Sequence, residues 1–260
     1  MWLHLFRPKV SKETKIGFDT ATVSSAGGRP ENQDAVGYRT CDAATCWALA
    51  DGLGGHLGGQ VASRTAVDAV LASFEKHPSA PLHTHLDSAN RAVLHGQKTH
   101  SELAHMRTTI AALVASSEAA LWAHSGDSRI YWLRGGAIQT RTLDHSVPQR
   151  LVEAGEITED RLRFHEDRAR LLHCLGSREE LTAPEGGIEG EPQSGDAFLL
   201  ASDGFWEYVL ESEMEEDARA SQNSQAWIDA LEARLKLRAQ ADYDNYSAIA
   251  VRVALREMER

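Results

Sequence analysis

Residues 47–64 read WALADGLGGHLGGQVASR. An apolar run stops on Asp51, and five glycines then fall within nine residues. Glycine gives up more conformational freedom on folding than any other residue, so a cluster of this density marks backbone that must bend sharply or approach something closely. Beyond it, Val67, Val70, Leu71 and Phe74 recur three and four residues apart, the period of a helix with one buried face. The stretch therefore predicts a buried strand, a glycine-rich turn and a helix, with a carboxylate at the strand's end. Taken alone, Asp-Gly after a strand is ordinary turn chemistry.

The rest of the chain supports a sizeable core. Of its 260 residues 42% are apolar, enough for one large domain or two small ones. Basic side chains number 27 against 38 acidic ones, a net charge of −11. Binding to DNA or RNA depends on neutralising phosphates with Lys and Arg, so this balance argues against nucleic acid as a partner. The early apolar segment MWLHLF is short and is followed by Arg7 and Lys9, which fits neither a signal peptide nor a membrane span. Cys41, Cys46 and Cys174 have no zinc-site spacing and form an odd set, as in a reducing compartment. The expectation is a soluble, cytoplasmic, monomeric protein with no membrane partner.

Read along the chain, ATVSSAGG, AVGYRT and CWALAD are strands punctuated by turn residues. A second helix is predicted from near Asp87, carrying Ala89, Val93 and Leu103 inward. Its His83, His85, His95, His100 and His105 lack a clean metal-binding pair and read as an exposed polar face. TTIAALVAS, EAALWAHS, RIYWLR and AIQTRT follow as an antiparallel meander. After a polar, helix-leaning stretch come a strand at DAFLLAS, helices at about 206–218 and 224–239, and a last strand, YSAIAVRVAL. Strands at both ends with helices between them indicate an α+β fold of antiparallel sheets flanked by helices. With no repeat or linker, residues 1–260 read as a single domain.

The acids are placed systematically. Asp51 closes CWALAD, Asp203 closes FLLASD, Asp34 opens the strand after ENQD, and Asp244 precedes the last strand. Asp127 lies in the turn of HSGDSR. If these strand ends converge, like charges in a low-dielectric cleft would force some carboxylates to protonate, a cost that hard divalent cations remove. Glycine after such an acid lets its carbonyl serve as a further ligand. Oxygen ligands alone point to Mg²⁺ or Mn²⁺, and two such ions about 3.5–4 Å apart activate water for attack on phosphorus.

RPENQD, ALADGLGGH, TTIAALV, GDSRIY, LDHSVPQRLVEAGEI, ASDGFWEYV and DNYSAIAV occur in order from about residue 16 to 253. This ordered set resembles the metal-dependent protein serine/threonine phosphatases of the PP2C type, the PPM family, in a compact bacterial form. The resemblance implies a central β-sandwich of two antiparallel sheets with helices on both outer faces. It also implies phosphoserine and phosphothreonine proteins as substrates, reversing a paired kinase. Asp51 would bridge two Mn²⁺ or Mg²⁺ ions, with the Gly52 carbonyl on one of them. Asp203 and Asp244 would hold the other, and Asp34 would act through bound water. Asp127 and Asp203 would hold a third, weaker metal. Arg29 would bind the substrate phosphate by a forked contact. A flap from about residue 146 to 170 would lie beside the site. The implied reaction is direct in-line attack by a metal-bridging hydroxide, and the absence of a Cys-x5-Arg loop agrees with it.

Three positions depart from the family pattern. Gln33 stands where many relatives carry glutamate, and a neutral amide would hold the second metal more weakly. Leu53 stands where animal relatives place a histidine that acts as general acid. His56 and His145 are then the candidates to protonate the leaving alkoxide, beside a structural hydrogen-bonding role for each and a metal-bound water that could serve without either. Arg107 replaces a common glycine, read as a local turn difference. Two other readings stay open: a binding protein that keeps the fold as a pseudophosphatase, and a metal-dependent nuclease.

Overall fold

The computed structural model describes residues 14–41, 44–53, 56–177, 181–188 and 190–257. Two antiparallel sheets stack face to face. The first contains β1 (Thr14–Ser25), β7 (Arg129–Arg134), β8 (Ala137–Arg141), β10 (Asp196–Ala201) and β11 (Tyr246–Glu257), in the order β1-β11-β10-β7-β8. The second contains β2 (Asp34–Cys41), β3 (Ala44–Leu53), β5 (Ile110–Ala115), β6 (Ala120–Ser125) and β9 (Glu185–Gly187), in the order β2-β3-β5-β6-β9. The two-residue β4 (Arg107–Thr108) pairs with the end of β3. Helices α1 (His56–Lys76) and α2 (Leu82–Thr99) cover one outer face. Helices α3 (Val147–Glu153) and α4 (Glu159–Leu162) lie within the segment of about residues 146–170 expected to form a flap. A single turn, α5 (Asp203–Trp206), leads to α6 (Glu211–Ala220) and α7 (Ser224–Arg238) on the other outer face.

The sequence of the central strands follows from this layering. Along β3, Trp47 and Leu49 enter the core between the sheets, while Cys46, Ala48 and Ala50 face α1 and α2. Along β10, Phe198 and Leu200 point between the sheets, and Ala197, Leu199 and Ala201 face the helices α6 and α7. Antiparallel strands usually alternate apolar and polar because one face is wet. Here both faces are covered, so the strands read as continuous apolar runs, with alanines on much of the helix side and bulkier residues between the sheets.

Three expectations need correction. The four middle strands do not form one meander: β5 and β6 belong to one sheet, β7 and β8 to the other. The SGDS turn therefore crosses between sheets, which sequence periodicity cannot register because both hairpins alternate alike. Helix α2 starts at Leu82, five residues before Asp87, with Pro81 as its N-cap; Leu103 is buried in a short 3-10 turn beyond the helix. His85 is buried, its Nδ1 2.9 Å from Ser73 Oγ. Among the described residues no helix is long and apolar enough to cross a membrane.

Candidate active site

The strand ends converge at one edge of the sandwich. Asp34 opens β2 directly opposite Asp51 in the register of β3. Asp203 begins α5 two residues after the end of β10, Asp244 lies two residues before the start of β11, and Asp127 sits in the turn that crosses between the sheets. Sequence separation is large, yet the five carboxylates lie within one another's fields. Burial pushes Asp34 up to about 7, and the charges of Asp203 and Asp244 add to it, against hydrogen bonds from Ser247 and Ser202. Burial likewise holds Asp51 well above the usual carboxylate range, helped by Asp203, Asp34 and Asp127. Asp127 is raised by burial and then by Asp203. Asp203 is raised by burial and then by Asp244.

Threonines hold Asp51 in place. Its amide donates to Thr109 Oγ1 at 2.8 Å, and its carbonyl accepts from Thr108 Oγ1 at 2.7 Å and from the Thr109 amide at 2.8 Å. Both polar groups of the Asp51 backbone are thus tied to the TT of the MRTT motif, while its side chain stays free of them. Glycine does the complementary work. A Cβ on Gly52 would lie 2.1 Å from the Gly59 carbonyl oxygen, and one on Gly59 would lie 2.2 Å from Gln33 Oε1. Only hydrogen at these positions lets the start of α1 lie against the end of β3, which accounts for two of the five glycines, Gly52 and Gly59.

Arg29 lies on a loop organised by Asn245. The Asn245 amide nitrogen Nδ2 donates to the Ala26 and Glu31 carbonyls at 2.9 and 2.8 Å, and its Oδ1 accepts from the Gln33 amide at 2.8 Å. Gly27, at φ +60°, packs onto the Asp244 carbonyl, where a Cβ would come within 2.2 Å of its oxygen. Arg29 Nη2 meets Asp244 Oδ2 at 3.2 Å, with both side chains half exposed. An exposed pair of this kind is worth little, so the guanidinium is available to a stronger anion.

The donor set fits a hard divalent cation. Asp34 Oδ1 is buried with no hydrogen-bond partner, while its Oδ2 accepts from Ser202 Oγ at 2.9 Å. An orphaned buried carboxylate oxygen is costly, and a cation supplies what it lacks. The neighbouring donors are carboxylates and the Gly52 carbonyl, the ligands that Mg²⁺ and Mn²⁺ prefer. Among the described residues no three acidic, imidazole or thiol groups are already gathered about one point. The carboxylates meet in pairs, Asp51 with Asp203 by a hydrogen bond.

The proton-donor candidates fare differently. His56 opens α1, but its side chain lies outside the described residues. His145 stacks on His124 at 4.5 Å, meets His173 edge-on at 5.6 Å, and accepts from the Gly126 amide through Nδ1 at 3.3 Å. Burial, then the two neighbouring imidazoles, push it down to about 4, which favours the neutral ring. These contacts place it among imidazoles just before α3.

Sequence reasoning missed the supports. Thr108 and Thr109 read only as strand residues, and Ser202 and Asn245 hid beside the acids they serve. Trp206 Nε1 donates to the Asp127 carbonyl at 2.9 Å, and Arg129 lies 3.4 Å above the Trp206 ring while forking onto Asp144 with two bonds of 2.8 Å. Ser202 and Asn245 adjoin predicted acids, and Arg129, Asp144 and Trp206 lie within GDSRIY, LDHSVPQ and ASDGFWEYV, whereas Thr108 and Thr109 carry no signal beyond their place at the start of TTIAALV.

A sequence model described as protein phosphatase 2C matches residues 26–243. The serine/threonine protein phosphatase PstP of Mycobacterium tuberculosis is 34% identical over 182 residues, covering 68% of this chain and 34% of PstP. The match thus spans about a third of that relative. Protein phosphatase PhpP of Streptococcus pneumoniae is 31% identical over 200 residues, covering 72% of this chain and 78% of PhpP. Among solved structures, the catalytic domain of PstP in complex with two manganese ions aligns with a TM-score of 0.76 at 27% identity, covering 92% of this chain and 99% of that domain.

Proposed function

The chain belongs to the protein phosphatase 2C family, a metal-dependent family, and from that premise we propose that it hydrolyses phosphoserine and phosphothreonine esters of proteins at the carboxylate cluster. The observation that carries this reading is the convergence of Asp244 with Asp34, Asp51, Asp127 and Asp203, the last four of which burial and mutual repulsion hold above the usual carboxylate range. Such a cluster is stable in ionised form only with cations between its members.

Asp51, the Gly52 carbonyl, Asp203 and Asp244 would hold two Mn²⁺ or Mg²⁺ ions, with Asp34 acting through bound water, and Asp127 and Asp203 would hold a third. When bound, such ions neutralise phosphate charge and lower the pKa of water. The chain's own residues supply orientation. Arg29 exchanges Asp244 for the phosphate oxygens, where a planar fork matches two acceptors at once. Ser202 keeps Asp34 aligned, and Thr108 and Thr109 fix Asp51, so no reorganisation is needed when charge develops. Residues 1–260 act as one domain, a cytoplasmic monomer opposing a Ser/Thr kinase.

The deciding experiment is hydrolysis of p-nitrophenyl phosphate and a phosphothreonine peptide with EDTA, Mg²⁺ or Mn²⁺, beside Asp203→Ala. Metal-restored activity that the variant lacks supports the reading. Folded protein inactive with every metal sinks it and favours a binding role; cleavage of DNA or RNA instead favours a nuclease.

Gln33 gives a sharper test. Its Oε1 occupies the space left by Gly59, beside the Gly52 carbonyl. Gln33→Glu is expected to lower the Mn²⁺ concentration for half activity by up to roughly tenfold, with a matching change in calorimetric affinity. An unchanged titration in both assays counts against a ligand-side role for this position.

A further inference from the structure

Beside the flap runs a groove that the phosphate chemistry leaves unused. Phe164, in the turn after α4, is 79% exposed, and Leu210, at the start of α6, is 42% exposed. With Tyr208 they line a cavity of about 560 Å³, rimmed by Arg163, Arg168 and Arg238. Exposing a whole phenylalanine ring to water is unfavourable, and three apolar side chains sharing one concavity form a seat rather than scattered surface residues.

The groove lies near the carboxylate cluster, since Glu207 and Tyr208 in its lining feel the charges of Asp203 and Asp244. Arg168 Nε bonds Glu207 Oε1 at 2.6 Å, four residues past Asp203. The Tyr208 ring meets Tyr243 edge-on at 6.3 Å, and Tyr243 adjoins Asp244. A polypeptide whose phosphorylated residue lies on Arg29 and the acids can reach Phe164 by way of Tyr208. The rim charges suit a peptide. Each arginine is held by a carboxylate, Arg163 by Glu211 at 2.7 Å, Arg168 by Glu207, and Arg238 by Glu213. In a chain of net charge −11 this leaves a locally balanced wall that does not repel a phosphorylated, acidic segment.

Building on the phosphatase reading, we propose that Phe164, Leu210 and Tyr208 form a specificity subsite for one apolar side chain of the phosphoprotein substrate, a few residues from the phosphorylated position. A strand advances about 3.3 Å per residue, so one register places an apolar residue in the seat and its neighbours outside it.

The test is a set of phosphothreonine peptides with alanine at every position from five before to five after, each carrying a single leucine. kcat/KM is measured with Mn²⁺ for the native chain, Phe164→Ala and Phe164→Leu. The expected result is roughly a tenfold gain over the all-alanine peptide at one position on one flank, carried mainly by KM. That gain, taken as a ratio within each protein, collapses toward one in Phe164→Ala and is kept in part by Phe164→Leu. A flat scan with metal-dependent activity intact overturns the subsite and leaves the phosphatase reading standing. So does a gain that Phe164→Ala retains. If no peptide is hydrolysed, the phosphatase reading fails on its own, and anisotropy of labelled peptides decides the groove by whether leucine tightens binding through Phe164. Sedimentation showing dimers that Phe164→Ala dissolves, with a flat scan, assigns the groove to a second copy and overturns the proposal.

Discussion

Asp51→Asn is expected to abolish Mn²⁺-dependent phosphate-ester hydrolysis while raising the melting temperature of the metal-free protein. The two effects share a cause. Asp51 is held above the usual carboxylate range by burial and by Asp203, Asp34 and Asp127, so its charge opposes folding when no cation is present. Asparagine keeps the size of the side chain and removes that charge, and the Asp51 backbone remains tied to Thr108 and Thr109. Loss of a preorganised charged group at the reacting centre costs two to three orders of magnitude, roughly. Relief of one repulsive buried charge, at about 1–2 kcal/mol, corresponds to about 2–8 °C in a domain of this size. The native protein should in turn gain about 5–10 °C from Mn²⁺ at a hundred times its Kd, and Asp51→Asn should not. Calorimetric scans in EDTA and in Mn²⁺ check both halves. A variant that melts lower in EDTA removes the repulsion argument, and one that still turns over removes Asp51 from the chemistry.

The same electrostatics set a pH dependence in EDTA. Asp34 sits at about 7 in the folded protein against 3.8 in the unfolded chain. Between those values the folded state holds the extra proton, so stability of the metal-free protein rises as pH falls from 8 toward 6. His145 works the other way: pushed down to about 4, it is neutral in the fold and charged when unfolded, and it subtracts stability below about pH 6.5. A metal-free melting temperature that falls steadily from pH 8 to 6 contradicts the first statement. With Mn²⁺ present the trend should flatten or invert, because protons and metal compete for the same oxygens.

Much of this site was legible because its chemistry is local in sequence. Asp51 and Asp203 each close an apolar run and are followed by glycine, and a strand that ends on a carboxylate can be read without knowing its neighbours. The division of the middle strands between two sheets was not legible. Hairpins β5–β6 and β7–β8 have the same alternation whether they share a sheet or not, and only the long-range pairing of β5 with β3 and of β7 with β10 decides it. The start of α2 was missed because Leu82 and Leu86 extend the apolar face past a run of histidines that reads as polar. His85 turned out to be buried against Phe74 at 5.9 Å, since neutral imidazole with one hydrogen bond is tolerated in a core. The supports were hidden for another reason. A hydroxyl that latches a backbone carbonyl, as Thr108 does, has no signature beyond its own identity, and its partner lies 57 residues away.

Asp144→Ala is expected to be the most destabilising single change in the flap's foundation. Arg129 and Asp144 are 3% and 1% exposed at their side chains, joined by two bonds of 2.8 Å. Arg129 also reaches Tyr131 Oη at 3.2 Å and Glu211 Oε1 at 3.5 Å, and its guanidinium covers the Trp206 ring. Removing Asp144 leaves a buried cation with weaker partners, a change that costs about 3–5 kcal/mol, or about 6–20 °C here. Replacing both members with apolar residues, Arg129→Met with Asp144→Leu, should recover much of the loss, because an ion pair repays little of its own desolvation. The pair's position indicates what it is for. Asp144 adjoins His145 at the base of the flap, and Arg129 presses on Trp206, whose Nε1 fixes the Asp127 carbonyl. The double variant should therefore melt near the native protein yet need more Mn²⁺ for half activity, through a loosened Asp127 turn. If it melts as low as Asp144→Ala, the loss belongs to shape rather than to an unpaired charge. If it regains the native metal titration as well, the pair serves stability alone and Asp127 is positioned without it.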